Sequence, residues 1–193
     1  MSSLNELMTQ IFSDLMTPIS YIPYGIMIAF IYIGIIMVLK RFKFKITKNL
    51  SKERIIKISI FITYITVVLI TAFFSRESGS RTGIDLQLFS ILGVSTGEDA
   101  SFIENIIMLS PMGFLLSALY NVFRRGIYCV IFGMSLSIFL ETAQLITGRG
   151  YCQLDDVFTN TIGTAIGYIL YKCYSKLSSI KYEKVYLVRN ISY

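Results

Sequence analysis

Between Glu141 and Gly163 the chain reads ETAQLITGRGYCQLDDVFTNTIG, its densest gathering of polar side chains. Glu141 and Gln144 lie three apart and share one helical face, with Ser137 a turn below. Asp156, Asn160, Gly163 and Gly167 follow at spacings of four, three and four, which makes a second stripe on a second helix. Glu141, Asp155 and Asp156 are candidate catalytic groups: such carboxylates move protons, or supply the oxygens that hold Mg2+ or Ca2+. Arg149 sits in the loop between the stripes and offers paired N–H donors to phosphate or carboxylate. Arg76, just past an apolar run in AFFSRESGSR, and Asn105, near the outer end of another, are placed to join the same vestibule. Carboxylates without a basic partner repel phosphate, so an anionic ligand there requires the arginines or a cation.

Each feature also has a structural explanation. Glu141 and Gln144 on one face suit a polar clamp between helices. Asp155 and Asp156 fall at a helix amino end, where acids favour the dipole and cap free N–H groups. Gly163 and Gly167 form G-x-x-x-G, which lets another backbone approach. Arg76 suits headgroup anchoring, and Pro111, Gly113 and Ser117 are chiefly architectural.

The elements that must position these groups follow from composition. Of 193 residues 54% are hydrophobic and only 16% charged, against about 25% charged in a soluble domain. Five apolar runs predict membrane helices: Tyr21–Leu39, Ile58–Phe74, about Phe102 to Phe123, Gly126–Ile146 and Val157–Tyr174. The connection from Lys40 to Lys57 carries eight basic residues, Arg124 and Arg125 follow the third run, and five more lie from Lys172 onward. The positive-inside rule then places the amino terminus outside and the carboxyl terminus in the cytoplasm, a parity that five spans satisfy. The expected fold is an all-α polytopic membrane bundle in three parts: residues 1–57 with the first helix and basic loop, 58–174 as the main transmembrane domain, and 175–193 as a basic tail against the inner leaflet. The opening stretch is expected outside, and residues 84–94 at the interface or re-entrant.

Other classes are excluded or unsupported. With no histidine, Ser-His-Asp and Cys-His chemistry and ordinary zinc sets are excluded. The net charge of +6 lies between apolar runs, which argues for a membrane surface and against nucleic acid. Cys129, Cys152 and Cys173 do not form a C-x-x-C pair, and the outer Cys152 is too far from the inner two for a disulfide. The amino terminus, with acids and no basic start, does not read as a cleaved leader.

NIIMLSPMG on one helix, ETAQ on the next and GRGYCQLDDVFTNTIG after it resemble the VanZ-like family of bacterial membrane proteins. The resemblance runs from Asn105 to Gly167 and takes in Asn105, Pro111, Gly113, Glu141, Gln144, Arg149, Asp155, Asp156, Asn160 and Gly163, with Arg76 fitting the pattern upstream. Gln153 stands where many members carry another acid, which counts against a mechanism needing a third loop carboxylate. The resemblance implies a multi-pass protein of the bacterial cytoplasmic membrane, associated with lowered susceptibility to teicoplanin and lipidated relatives. It brings no agreed activity and no established catalytic residues. The expected partners are membrane lipids and a lipophilic antibiotic or lipid-linked envelope intermediate, with a homo-oligomer open. A small flippase-like carrier and a non-catalytic membrane interaction protein are the alternatives, the former weakened because no internal repeat is evident.

Overall fold

The computed structural model describes residues 4–48, 50–74, 77–79, 83–90 and 92–191, with side chains through residue 179. It is an all-α membrane bundle. Six helices follow one another: α1 (Leu4–Ser20), α2 (Ile22–Arg41), α3 (Lys52–Leu69), α4 (Thr96–Leu119), α5 (Gly126–Thr147) and α6 (Leu154–Ile191). Each expected apolar run is helical, α2 to α6 in order. Among the described residues, four helical runs are long and apolar enough to cross a membrane: Leu4–Arg41, Lys52–Phe74, Thr96–Leu119 and Gly126–Thr147. The fifth expected span, inside α6, is not among them. Its polar residues Thr159, Asn160 and Thr164 are buried, so α6 turns a polar face inward, where other helices rather than hydrocarbon meet it. With 38 residues α6 is roughly 57 Å long at about 1.5 Å per residue, well past an apolar core of about 30 Å.

Local chemistry sets the ends. Ser51 caps α3 by accepting the Arg54 N–H, and Ser95 caps α4 by accepting the Glu98 N–H while its hydroxyl meets the Glu98 carboxylate. Lys40 and Arg41 occupy the last turn of α2, where cations suit the dipole. Gly148 (φ 63°) closes α5 in the left-handed conformation, with the Arg149 N–H on the Gln144 carbonyl, and so turns the chain sharply toward α6.

Helix packing is closest where side chains are missing. A Cβ added at Gly113 would strike the Thr164 carbonyl, at Gly163 the Ile106 carbonyl and at Gly167 the Ser110 carbonyl. The G-x-x-x-G stripe is therefore the seam on which α6 lies against α4. Leu109, Met112 and Leu116 fill the adjoining core, and Val68, Ala72 and Leu140 a second one. Phe30, Ile127 and Phe139 are among many large apolar side chains left more than 60% exposed, the surface a bilayer covers.

The two ends of the bundle differ. At one end Ser51, Arg54 and Lys57 meet Tyr120 and Asn121, and the Tyr168 hydroxyl donates to the Arg124 carbonyl. The basic connections thus share that end, as the alternation of charge requires. At the other, residues 83–90 dock onto the α5–α6 connection: β1 (Ile84–Asp85) pairs in parallel with β2 (Cys152–Gln153). The opening stretch, expected only as an outward-facing segment, is the helix α1 packed on α4.

Candidate functional site

The site forms where the carboxyl ends of α3 and α5 meet the amino ends of α4 and α6. The last turn of any helix leaves carbonyls without intrahelical partners. Here α3 ends in a π-helical turn, Ile70–Phe74, and two side chains from the α5 end reach those carbonyls. Gln144 Nε2 donates to Ala72 O at 3.1 Å, and Arg149 Nη1 to Phe73 O at 2.8 Å. The guanidinium also lies over the Phe74 ring, 5.9 Å from its centroid, which suits both a helix carboxyl end and an aromatic face. Its Nε is buried without a partner. Arg149 thus ties the α5–α6 turn to α3.

Asp155 is likewise drawn into structure. It is 1% exposed; its carboxylate accepts the Phe89 N–H at 2.6 Å and the Ser90 hydroxyl at 3.4 Å. Ser90 also donates to Asp85, whose carboxylate receives the Gln87 N–H as well. These bonds, the backbone bond first, hold the Asp85 carboxyl below the usual carboxylate range. The Phe89 ring stands edge-on to Phe158 at 5.5 Å. Neither Asp155 nor Arg149 lines the cavity beside them.

That cavity measures about 460 Å3. Glu141, Gln144, Asn105, Asp156 and Asn160 all line it. Glu141 is 3% exposed, and its Oε2 accepts the Gln153 N–H at 3.1 Å. Asp156 accepts Asn105 Nδ2 at 2.8 Å, joining α6 to α4. Asn160 Nδ2 meets Ser137 Oγ at 2.9 Å, joining α6 to α5, while its Oδ1 is buried without a partner. The two polar stripes therefore do face one another. Leu140, Met108, Val68, Ile107 and Leu15 supply apolar wall, and the Tyr64 hydroxyl fixes α3 to α4 through the Met108 carbonyl.

Several lining residues carry no weight in the sequence reading. Asp14, Thr17 and Pro18 come from α1, and Glu104 from α4 faces Asp14. Tyr64, Thr71, Ser101 and Tyr151 add further polar groups, and Gln153, noted above only as a departure from the family pattern, lines the cavity too. Leu4, Leu7, Met8, Ile11, Phe12, Leu15, Met16 and Ile19 recur with helical period and would have marked α1 as an amphipathic helix. Arg76 lies outside the described residues. Among the described residues, no group of three or more Cys, Asp or Glu is set to hold a metal ion.

Cys152, on β2, borders the same acids. Burial first, then the charges of Glu141 and Asp156, push its thiol up. All three cysteines are free.

Long apolar helices enclosing a polar cavity define an integral membrane protein. The family model described as VanZ/LLP1 matches residues 27–176, and the chain belongs to that family. Neither the curated proteins nor the solved structures hold a significant match to it.

Proposed function

We propose that this VanZ/LLP1-family protein sits in the bacterial cytoplasmic membrane with its amino terminus outside. Its cavity, on this reading, handles a lipophilic glycopeptide antibiotic or a lipid-linked cell-envelope intermediate, and so lowers teicoplanin-type susceptibility. One observation carries the reading: a cavity of about 460 Å3 in which Glu141, Asn105, Asp156 and Asn160 face an apolar wall. Such mixed lining suits an amphiphile, with the polar head among the acceptors and hydrocarbon along Val68, Met108 and Leu140. The orientation is supported by fifteen of eighteen basic residues falling in alternate connections, with the cavity at the opposite end from the two basic turns.

Glu141→Gln and Asp156→Asn are each expected to abolish the lowered susceptibility conferred by the wild-type chain, at equal membrane abundance. Wild-type behaviour in both variants would sink the reading. The orientation is tested on Cys152 with a membrane-impermeant thiol reagent in intact cells; reaction only after the membrane is opened refutes it.

Arg149 and Asp155 enter this function as struts. A purely structural role for the remaining polar residues predicts instead that abundance falls in step with activity.

A further inference from the structure

Asn160 is 3% exposed and one edge of its amide is paired with Ser137. The other edge, Oδ1, is buried on the cavity wall with no partner. Native proteins almost always supply such an atom with a hydrogen bond. Turning the amide end for end does not help: the oxygen would accept from the Ser137 hydroxyl, and the nitrogen would be the buried edge without a partner. In either arrangement one polar edge of Asn160 is left for the occupant. A hydroxyl satisfies both, because it donates and accepts; a phosphate ester oxygen only accepts, and an ammonium only donates.

We infer that the cavity receives the hydroxylated headgroup of an amphiphile, a saccharide carried on a lipid, with one sugar hydroxyl on Asn160 and others on the carboxylates of the same wall. This rests on the reading of the cavity as a ligand site and adds the class of headgroup. Each carboxylate offers two oxygens and several lone-pair directions, so Glu141 and Asp156 can accept hydroxyls in addition to the N–H groups they already hold. The apolar side, Val68, Met108 and Leu140, runs beside the acyl chain.

The test uses the full chain in phosphatidylcholine nanodiscs doped with equal traces of three lipids of one acyl composition. These are glucosyl-diacylglycerol, its per-O-methylated counterpart and phosphatidic acid, and native mass spectrometry reads the lipid retained. The glucosyl lipid should be retained at least about tenfold over the other two, and Asn160→Leu should remove most of that excess, the loss expected for one buried hydrogen bond. Equal retention of the glucosyl and methylated lipids, or preference for phosphatidic acid, overturns the hydroxyl assignment. The ligand-site reading still stands in that case if Glu141→Gln lowers retention of the favoured lipid. If Glu141→Gln lowers retention of none of the three, both fall. Should Asn160→Leu not reach the membrane, the wild-type order of the three lipids decides.

Discussion

Replacing Asp155 with alanine should free residues 83–90 while leaving the helices in place. Phe89 sits at φ 61°, a conformation that costs a bulky residue about 1–3 kcal/mol and persists only when its surroundings hold it. What holds it is visible: its N–H points at the Asp155 carboxylate at 2.6 Å, and its ring lies between Phe158 at 5.5 Å and Phe102 at 6.3 Å. A hydrogen bond to a charged group contributes about 1.5–3 kcal/mol. The Ser90 contact, at 3.4 Å, is long and adds little. At about 1.4 kcal/mol per decade, removing the carboxylate should raise local opening by roughly tenfold to a hundredfold.

Hydrogen–deuterium exchange in nanodiscs reads that opening directly, with a peptide from α2 as the internal control. Asp155→Asn should lie between wild type and Asp155→Ala, since its oxygen still accepts the Phe89 N–H but without charge. If exchange over 83–90 in Asp155→Ala stays within about twofold of wild type, the carboxylate is not what pins the segment, and the strut assignment is wrong. If exchange rises as expected, a lost phenotype in Asp155→Ala says nothing about ligand contact.

Gly167→Leu should lower the melting temperature by several degrees, because its Cβ falls on the Ser110 carbonyl and overpacking costs about 1–3 kcal/mol. Gly34→Leu, with open space around it, should melt as wild type, and equal melting of the two variants would refute the seam. Alkylation of Cys152 should be slow at neutral pH and keep rising above the ordinary thiol range; Glu141→Gln, which removes one of the charges that push the thiol up, should accelerate it at fixed pH. An unchanged rate would show that the charge does not act there. The Asp85 carboxyl is held low by the Gln87 N–H and the Ser90 hydroxyl, so its contribution is complete above the unfolded value of about 3.9 and fades as pH falls through the folded value. Opening of 83–90, read as exchange relative to the unprotected amide rate at each pH, should therefore rise at acid pH, and Asp85→Asn should flatten that dependence.

The apolar runs and the charged connections made the bundle legible, because hydrocarbon length and charge asymmetry act residue by residue. The facing stripes were legible too: spacing alone put Glu141 and Gln144 on one face and Asp156 and Asn160 on another, and all four line one cavity. What spacing does not carry is the direction a side chain takes when two partners compete for it. Arg149 lies within reach of the acids by sequence, yet its Nη1 bonds the Phe73 carbonyl, 76 residues away, because the π-turn leaves that carbonyl open. The β1–β2 pairing spans two residues on each strand, too short for alternation to show. The contribution of α1 needed its packing on α4, a contact between segments some 90 positions apart, although its apolar period stood in the sequence.

The same competition explains why a hydrophobic chain keeps so many polar groups in one place. Four helix ends meet there, each with backbone groups that helical bonding leaves open, and hydrocarbon offers none of the water that would satisfy them. Gln144, Arg149 and Asp155 answer that need, donating to the end of α3 and accepting from the docked segment 83–90. Glu141, a turn before Gln144, Asp156, next to Asp155, and Asn160, a turn further on, line the cavity, as Gln144 does as well. Strut and lining residues thus stand side by side within a single stretch, and Gln144 is both. Loss of function on mutation therefore identifies a ligand contact only when the variant keeps the exchange pattern of 83–90 and the melting temperature of the bundle. Glu141→Gln and Asp156→Asn can meet that condition, since each replacement is close to the carboxylate in size and keeps one oxygen acceptor; Arg149→Ala and Asp155→Ala cannot.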